Sequence, residues 1–249
     1  NNDLISSTLY KRATYESFLE WLKDKPELAL DTETEGFFNH QKRIIMLQLS
    51  DGVDTYVIDV RGKDYVKRLK GLIEHKLILG QNLKFDYKFL KLEGVILKNI
   101  YDTFLAECIL TNGIKDRALG LGAISEKYLG KSLDKSVRNQ FVNLGSQPFT
   151  DKQIIYGADD VEGLFKIRDA QMQQIKDLSL GNVLDLENYA CLALADIEYN
   201  GFKLDSSKWL ELASTKESKL PQYEEDLDAM VIADARLSKF VNNGVQIDI

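Results

Sequence analysis

The chain is poor in the residues that build soft-metal and redox sites. Among 249 residues there are two cysteines, Cys108 and Cys191, and two histidines, His40 and His75. The cysteines are far apart, form no C-x-x-C and lie among apolar neighbours. We therefore expect buried free thiols, not a disulfide framework or a thiolate zinc site. The histidines are isolated, which argues against zinc on that side too. No apolar run approaches the ~20 residues of a membrane-spanning helix, so no membrane partner is expected. The opening Asn1-Asn2-Asp3 has no basic stretch and apolar core of a secretory leader, and we expect an intracellular protein. It has no Met either, so we read the chain as a piece of a longer one, and expect a monomer. Internal repeats and low-complexity stretches are missing.

An excess of basic charge is also missing. The net charge is −7, and its placement is uneven. From Asp185 onward there are 13 acidic and 6 basic residues, so that stretch carries the whole excess and residues 1–184 are balanced. Overall charge thus gives no hint of a nucleic-acid partner. Neither does it exclude one, because phosphate contacts depend on local patches.

What is present is a globular composition, 44% hydrophobic and 29% charged, long enough for one large domain or one and a half ordinary ones. Residues 14–25 repeat apolar groups at helical spacing, and Pro26 ends that helix. Three strand-like runs follow, Leu28–Thr34, Ile44–Ser50 and Thr55–Val60. Asp51-Gly52 between the last two is a hairpin signal, so an antiparallel meander is expected. Residues 64–75 read as an amphipathic helix. Leu77–Leu79 and Asn99–Asp102 are short strands, each running into a helix, 84–92 and 103–110. Residues 119–128 read as a helix and 131–147 as a loop with partial helix. A long helix is expected from Asp151 to about Leu178, with Thr150 as its N-cap. Ser179-Leu180-Gly181-Asn182 breaks the pattern and marks the expected domain boundary near residue 180. Beyond it the chain is helical, with a turn at Asn200-Gly201. Strands alternating with helices around a mixed sheet make this an α/β protein.

Three places stand out chemically. Asp31 and Glu33 lie two apart at the end of the first meander strand, so both project from one face. Two readings stay open from that stretch alone. The strand has ended and both acids face water, or the pair holds a divalent cation, since hard cations take carboxylate oxygens. Asp86 sits one turn into the helix after the fourth strand. On the long helix, Tyr156 and Asp160 are four apart and share a face, while Asp159 points about a hundred degrees away and is expected in solvent. Each of these alone has an ordinary explanation as a solvated acid or a packed tyrosine.

Taken together they are specific. D-x-E as Asp31-Thr32-Glu33, then N-x-x-x-D as Asn82 to Asp86, then Y-x-x-x-D as Tyr156 to Asp160, resemble the three exonuclease motifs of the DEDD superfamily of 3′–5′ exonucleases. The tyrosine in the third places the resemblance in the DEDDy branch. Gly80-Gln81-Asn82-Leu83-Lys84-Phe85-Asp86 is similar to the second motif of the proofreading domain of family A DNA polymerases, and Asp31-Thr32-Glu33-Thr34-Glu35-Gly36 to the first. Leu133-Asp134-Lys135-Ser136 resembles a segment of ribonuclease D and Werner-type exonucleases. Ile197 to Asp205 is similar to the helix–turn that opens the polymerase portion of family A enzymes. The resemblance covers roughly Leu28 to Asp205.

The resemblance implies a ribonuclease H-like exonuclease fold, a five-stranded mixed sheet with an antiparallel meander flanked by helices, over 1–180. It implies that 181–249 is a helical segment beginning the polymerase thumb. It implies hydrolysis with two divalent ions, Mg²⁺ with Mn²⁺ as a substitute, held by Asp31, Glu33, Asp86 and Asp160. Asp31 would bridge both ions and Tyr156 would orient the attacking water. Orientation suits tyrosine better than base catalysis, because its side chain ordinarily titrates near ~10. The substrate would be a single-stranded or frayed DNA 3′ end contacted by Thr32, Phe37, Gln81, Asn82 and Leu133. Phe37 could stack on a terminal base or simply pack. The rest of the polymerase chain would be the other partner. A ribonuclease D-like exoribonuclease and a catalytically silent nucleic-acid-binding module are the competing readings. All four acids are in place, which disfavours the silent module.

Overall fold

The computed structural model describes residues 4–6, 11–36, 43–141 and 144–237. Two compact units divide the chain, residues 1–200 and 201–249.

The first unit is built on one mixed sheet. Its centre is β3 (Glu27–Thr34), with β4 (Ile44–Ser50) and β5 (Thr55–Asp59) as the antiparallel meander on one side. On the other side β6 (Leu77–Gly80) pairs parallel to β3, and β7 (Asn99–Asp102) parallel to β6. These are the five expected strands. Two short strands the sequence pattern did not reveal, β1 (Leu4–Ser6) and β2 (Lys11–Ala13), extend the meander edge, giving the order β2-β1-β5-β4-β3-β6-β7. Strands of three residues carry too little alternation to announce themselves. Every residue of β4 is buried, as a strand covered on both faces must be.

Helices cover both faces. Alternation along β3 sends Leu28 and Leu30 into one layer and Ala29 into the other. In the first layer lie α1 (Tyr15–Lys23), α2 (Leu83–Leu92) and α7 (Gly181–Asn200), through Phe18, Leu22, Phe89, Leu90, Cys191 and Ala195. In the second lie α3 (Thr103–Leu110), α4 (Leu121–Leu129), α5 (Asp151–Glu162) and α6 (Leu164–Asp177). α1 starts where Thr14 Oγ1 accepts from Ser17 N, and α5 where Thr150 and Gln153 form a reciprocal capping box.

Two expectations need correction. The helix expected over 64–75 is only a 3₁₀ turn, Lys67–Leu69, because Lys70 turns extended. The long helix from Asp151 breaks at Gly163 into α5 and α6, and Gly163 lies so close to α4 that a Cβ there would fall 2.8 Å from Leu129 Cδ1. The first compact unit continues through the pattern break near residue 180 to Asn200. There Ser179 takes φ 56 and merely turns the chain from α6 into α7. α7 stays with the first unit because Leu184, Cys191 and Ala195 are buried in its core.

The second unit is dominated by α8 (Ser206–Ala233), which starts where Asp205 accepts from Lys208 N. No helix among the described residues is long and apolar enough to cross a membrane.

Candidate active site

Strand β3 supplies two carboxylates and helix α5 brings a third. Asp31 and Glu33 share the face of β3 that α5 covers. The paired strand β4 sets Gln48 opposite Asp31 and Met46 opposite Glu33. Helix α5 lies directly on those two residues at Gly157. A Cβ there would fall 2.6 Å from Gln48 Nε2 and 3.0 Å from Met46 Sδ, so a larger residue would need either these buried side chains or the helix to shift. Asp160, three residues on and thus on the same helix face, is carried in to the strand.

The result is one half-buried cluster. Asp31, Glu33 and Asp160 each offer an oxygen within 4.8 Å of the others. Three carboxylates at that spacing repel one another unless positive charge is supplied. Their donors are all hard oxygens, with no histidine or cysteine among them, which is the donor set of Mg²⁺ or Mn²⁺. The residues fit a divalent cation.

Asp86 is not a member of that set of three. It is buried on α2 and meets β3 at Thr32, between the two acids. Its Oδ1 accepts from Thr32 N at 3.1 Å and from Thr32 Oγ1 at 2.5 Å. Burial pushes its carboxyl well above the ordinary range, against the pull of these bonds. The turn that leads to it is fixed by a residue the sequence pattern did not single out. Asn82 stands in the left-handed region at φ 60, a conformation asparagine tolerates. Asp102, at the end of β7, accepts from Asn82 N, Leu83 N and Phe104 N, so one carboxylate caps α3 and holds the start of α2. Burial pushes the Asp102 carboxyl up to about 6 even so. The Asp-Thr step between a short strand and a helix is the N-cap signal that could have found it.

Tyr156 is half-buried on α5. Its ring lies 5.9 Å from Phe141, which in turn meets Phe149 at 6.1 Å. Arg61 ties down the approach to α5. It is paired with Asp59, donates to the carbonyls of Gly145 and Gln147, and stacks on Phe149 at 4.2 Å. Asp159, expected in solvent, is partly exposed and forms an exposed ion pair with Lys131 at 2.5 Å.

The expected substrate contacts are placed unevenly. Asn82 is exposed, and Gln81 and Leu133 are half-buried. The Gln81 amide donates to Leu119 O and accepts from Thr103 Oγ1. Thr32 is buried with its hydroxyl on Asp86. Phe37 lies outside the described residues.

Comparison with known proteins places these features in context. A family of 3′–5′ exonucleases matches residues 7–176. DNA polymerase I of Aquifex aeolicus is 32% identical over 202 residues, which is 74% of this chain and 33% of that protein. A ribonuclease D of Sphingobium indicum is 26% identical over 182 residues, 70% of this chain and 45% of that protein. The chain thus spans about a third to a half of the length of these two relatives. Among solved structures, Brucella melitensis NrnC with bound Mg²⁺ superposes with a TM-score of 0.62 at 22% identity, covering 72% of this chain and 88% of that one. That likeness supports the fold.

Proposed function

The chain belongs to the 3′–5′ exonuclease family found in A-type DNA polymerases, and on that premise we propose that it shortens DNA from the 3′ end as the proofreading unit of such a polymerase. The observation that carries the reading is the Asp31–Glu33–Asp160 cluster, assembled from two separate motifs inside the matched region.

In this reading Asp31, Glu33 and Asp160 hold the divalent cations, and Asp86 adds its carboxylate from α2. When bound, the cations make water nucleophilic at neutral pH and stabilise the departing 3′ oxygen. The chain's own residues do the rest. Gly157 lets α5 approach, so that Asp160 meets β3. Thr32 fixes the Asp86 carboxylate by two hydrogen bonds, so it is oriented before substrate arrives. Tyr156, with its ring steadied by Phe141, orients the attacking water through its hydroxyl. Asn82, exposed at the start of α2, offers an amide to the terminal nucleotides, and Phe37 and Leu133 contribute apolar contacts. A mismatched 3′ terminus frays more readily than a paired one, which makes the reaction selective for errors.

The polymerase portion of the parent chain is the proposed partner, with 181–249 as the helical segment that begins its thumb. Support comes from α8, where Trp209, Leu210, Leu220, Tyr223, Leu227 and Met230 are exposed, an unusual load of apolar surface for one helix.

The likeness to ribonuclease D keeps RNA as the second reading. Single-stranded DNA and RNA of one sequence, labelled at the 5′ end and digested with Mg²⁺, separate the two. The proposal expects a ladder shortening from the 3′ end with DNA faster. Preferential digestion of RNA would replace it with the ribonuclease reading.

A further inference from the structure

We propose that Gln48 is a positioning residue of the carboxylate site, the side-chain donor that braces Asp31 once cations are held. The inference rests on the nuclease reading above. Three observations meet at this residue. Gln48 is fully buried. Neither its Nε2 nor its Oε1 has a hydrogen-bond partner among the described residues. Across the β3–β4 pair it stands opposite Asp31, and it bears on α5 beside Gly157.

A buried amide with both ends unsatisfied is costly, and folded proteins rarely tolerate one without a compensating use. An apolar side chain of the same size would fill this position without that cost. Directly paired residues of antiparallel strands have Cβ atoms about 4.5–5.5 Å apart on one face, so the amide lies within reach of the Asp31 carboxylate. The two sides it touches are the two halves of the site, β3 with Asp31 and α5 with Asp160. Carboxylates that bind metals are generally hydrogen-bonded in turn, which fixes which lone pairs face the ion. Gln48 is the uncommitted buried donor in the place where that bond is needed. Only its Nε2–H can make that bond, because an ionised carboxylate solely accepts.

Gln48→Met tests this, because it keeps the shape and removes both polar atoms. Mn²⁺ is titrated into wild type and variant without nucleic acid, and free Mn²⁺ is read by electron paramagnetic resonance. Melting of the metal-free proteins is followed by circular dichroism. The proposal expects Mn²⁺ affinity about ten- to a hundredfold weaker, with the metal-free variant melting at the wild-type temperature or above it. Unchanged Mn²⁺ affinity in the variant overturns it, and leaves the nuclease reading standing. A variant that fails to fold also overturns it, since the amide would then serve the metal-free structure. A wild type that binds no Mn²⁺ overturns this inference together with the reading on which it rests.

Discussion

At the scale of single residues, small differences in size and ionisation decide whether the site exists. Gly157 is the sharpest case. In an ordinary helix, glycine to alanine stabilises by about 1 kcal/mol. Here the added Cβ would meet Gln48 Nε2 at 2.6 Å and Met46 Sδ at 3.0 Å in a fully buried contact. Overpacking of that kind costs about 1–3 kcal/mol. Gly157→Ala is therefore expected to lower stability in urea unfolding and to weaken Mn²⁺ binding, because Asp160 rides on the displaced helix. A stabilised variant with intact binding would show that α5 has room to spare.

Titration gives a second test at this scale. Burial pushes the Glu107 carboxyl up, but hydrogen bonds from Lys127, Gln171 and Tyr128 outweigh it and hold the group below its ordinary range. A depressed carboxylate contributes stability that is present above its unfolded pKa of about 4.3 and is lost as pH falls through the folded value. Asp102 has the opposite sign. Its carboxyl, pushed up to about 6, favours the folded state when protonated and opposes it increasingly as pH rises from about 4 to 6. Glu107→Gln should therefore flatten the loss of stability below pH ~4, seen as a smaller drop in urea midpoint between neutral and acid solution. A drop as steep as in wild type would remove Glu107 from the account.

At the scale of elements, helix α2 shows which contacts hold the second motif in place. Its outer side carries Lys84 and Lys88, both paired to Glu198 of α7 at 2.7 Å, and Lys91 paired to Asp196. Glu198 is partly exposed, so Glu198→Ala is expected to cost no more than about 1 kcal/mol in urea unfolding. Ala195, fully buried in the core between these helices, is different. Ala195→Leu should cost about 1–3 kcal/mol by overpacking. Equal costs for the two would mean that charge, not packing, seats α7.

The same elements show what could be read from the sequence. Alternation placed Asp31 and Glu33 on one face, and helical spacing placed Tyr156 and Asp160 on another, because each is a local periodicity. The Thr150 cap was legible for the same reason. The division at Gly163, the seating of α7 and the role of Gln48 were not. Each depends on how closely two elements distant in sequence approach, as at Leu129 against Gly163 or Gln48 against Gly157. Asp159 illustrates the same limit, since its partner Lys131 lies on a separate segment. Gln48 in particular reads as one polar residue in an apolar strand, and only its missing partners mark it out.

At the scale of the whole molecule, the division after Asn200 has a consequence. The sheet, the helices on both its faces and all four acids lie in residues 1–200. A chain ending at Asn200 should fold cooperatively and keep Mn²⁺ affinity within about threefold, as expected of a unit with its own core. A truncated chain that stays unfolded would mean that 201–249 completes that core. Two of the acidic residues after Asp185 have a place in this picture, because Asp196 and Glu198 pair with Lys84, Lys88 and Lys91 of α2.

The central claim is that Asp31, Glu33 and Asp160 form one cation-dependent nuclease centre. The most direct measurement is shortening of single-stranded DNA, labelled at the 5′ end, by wild type, Asp31→Ala and Asp160→Ala in Mg²⁺ and in chelator. The account predicts stepwise shortening from the 3′ end by wild type, abolished by chelator. It predicts a fall of more than about a hundredfold in either variant, since loss of a ligand should exceed loss of an outer-sphere partner, with circular dichroism unchanged. Undiminished shortening in both folded variants, or in chelator, would contradict it.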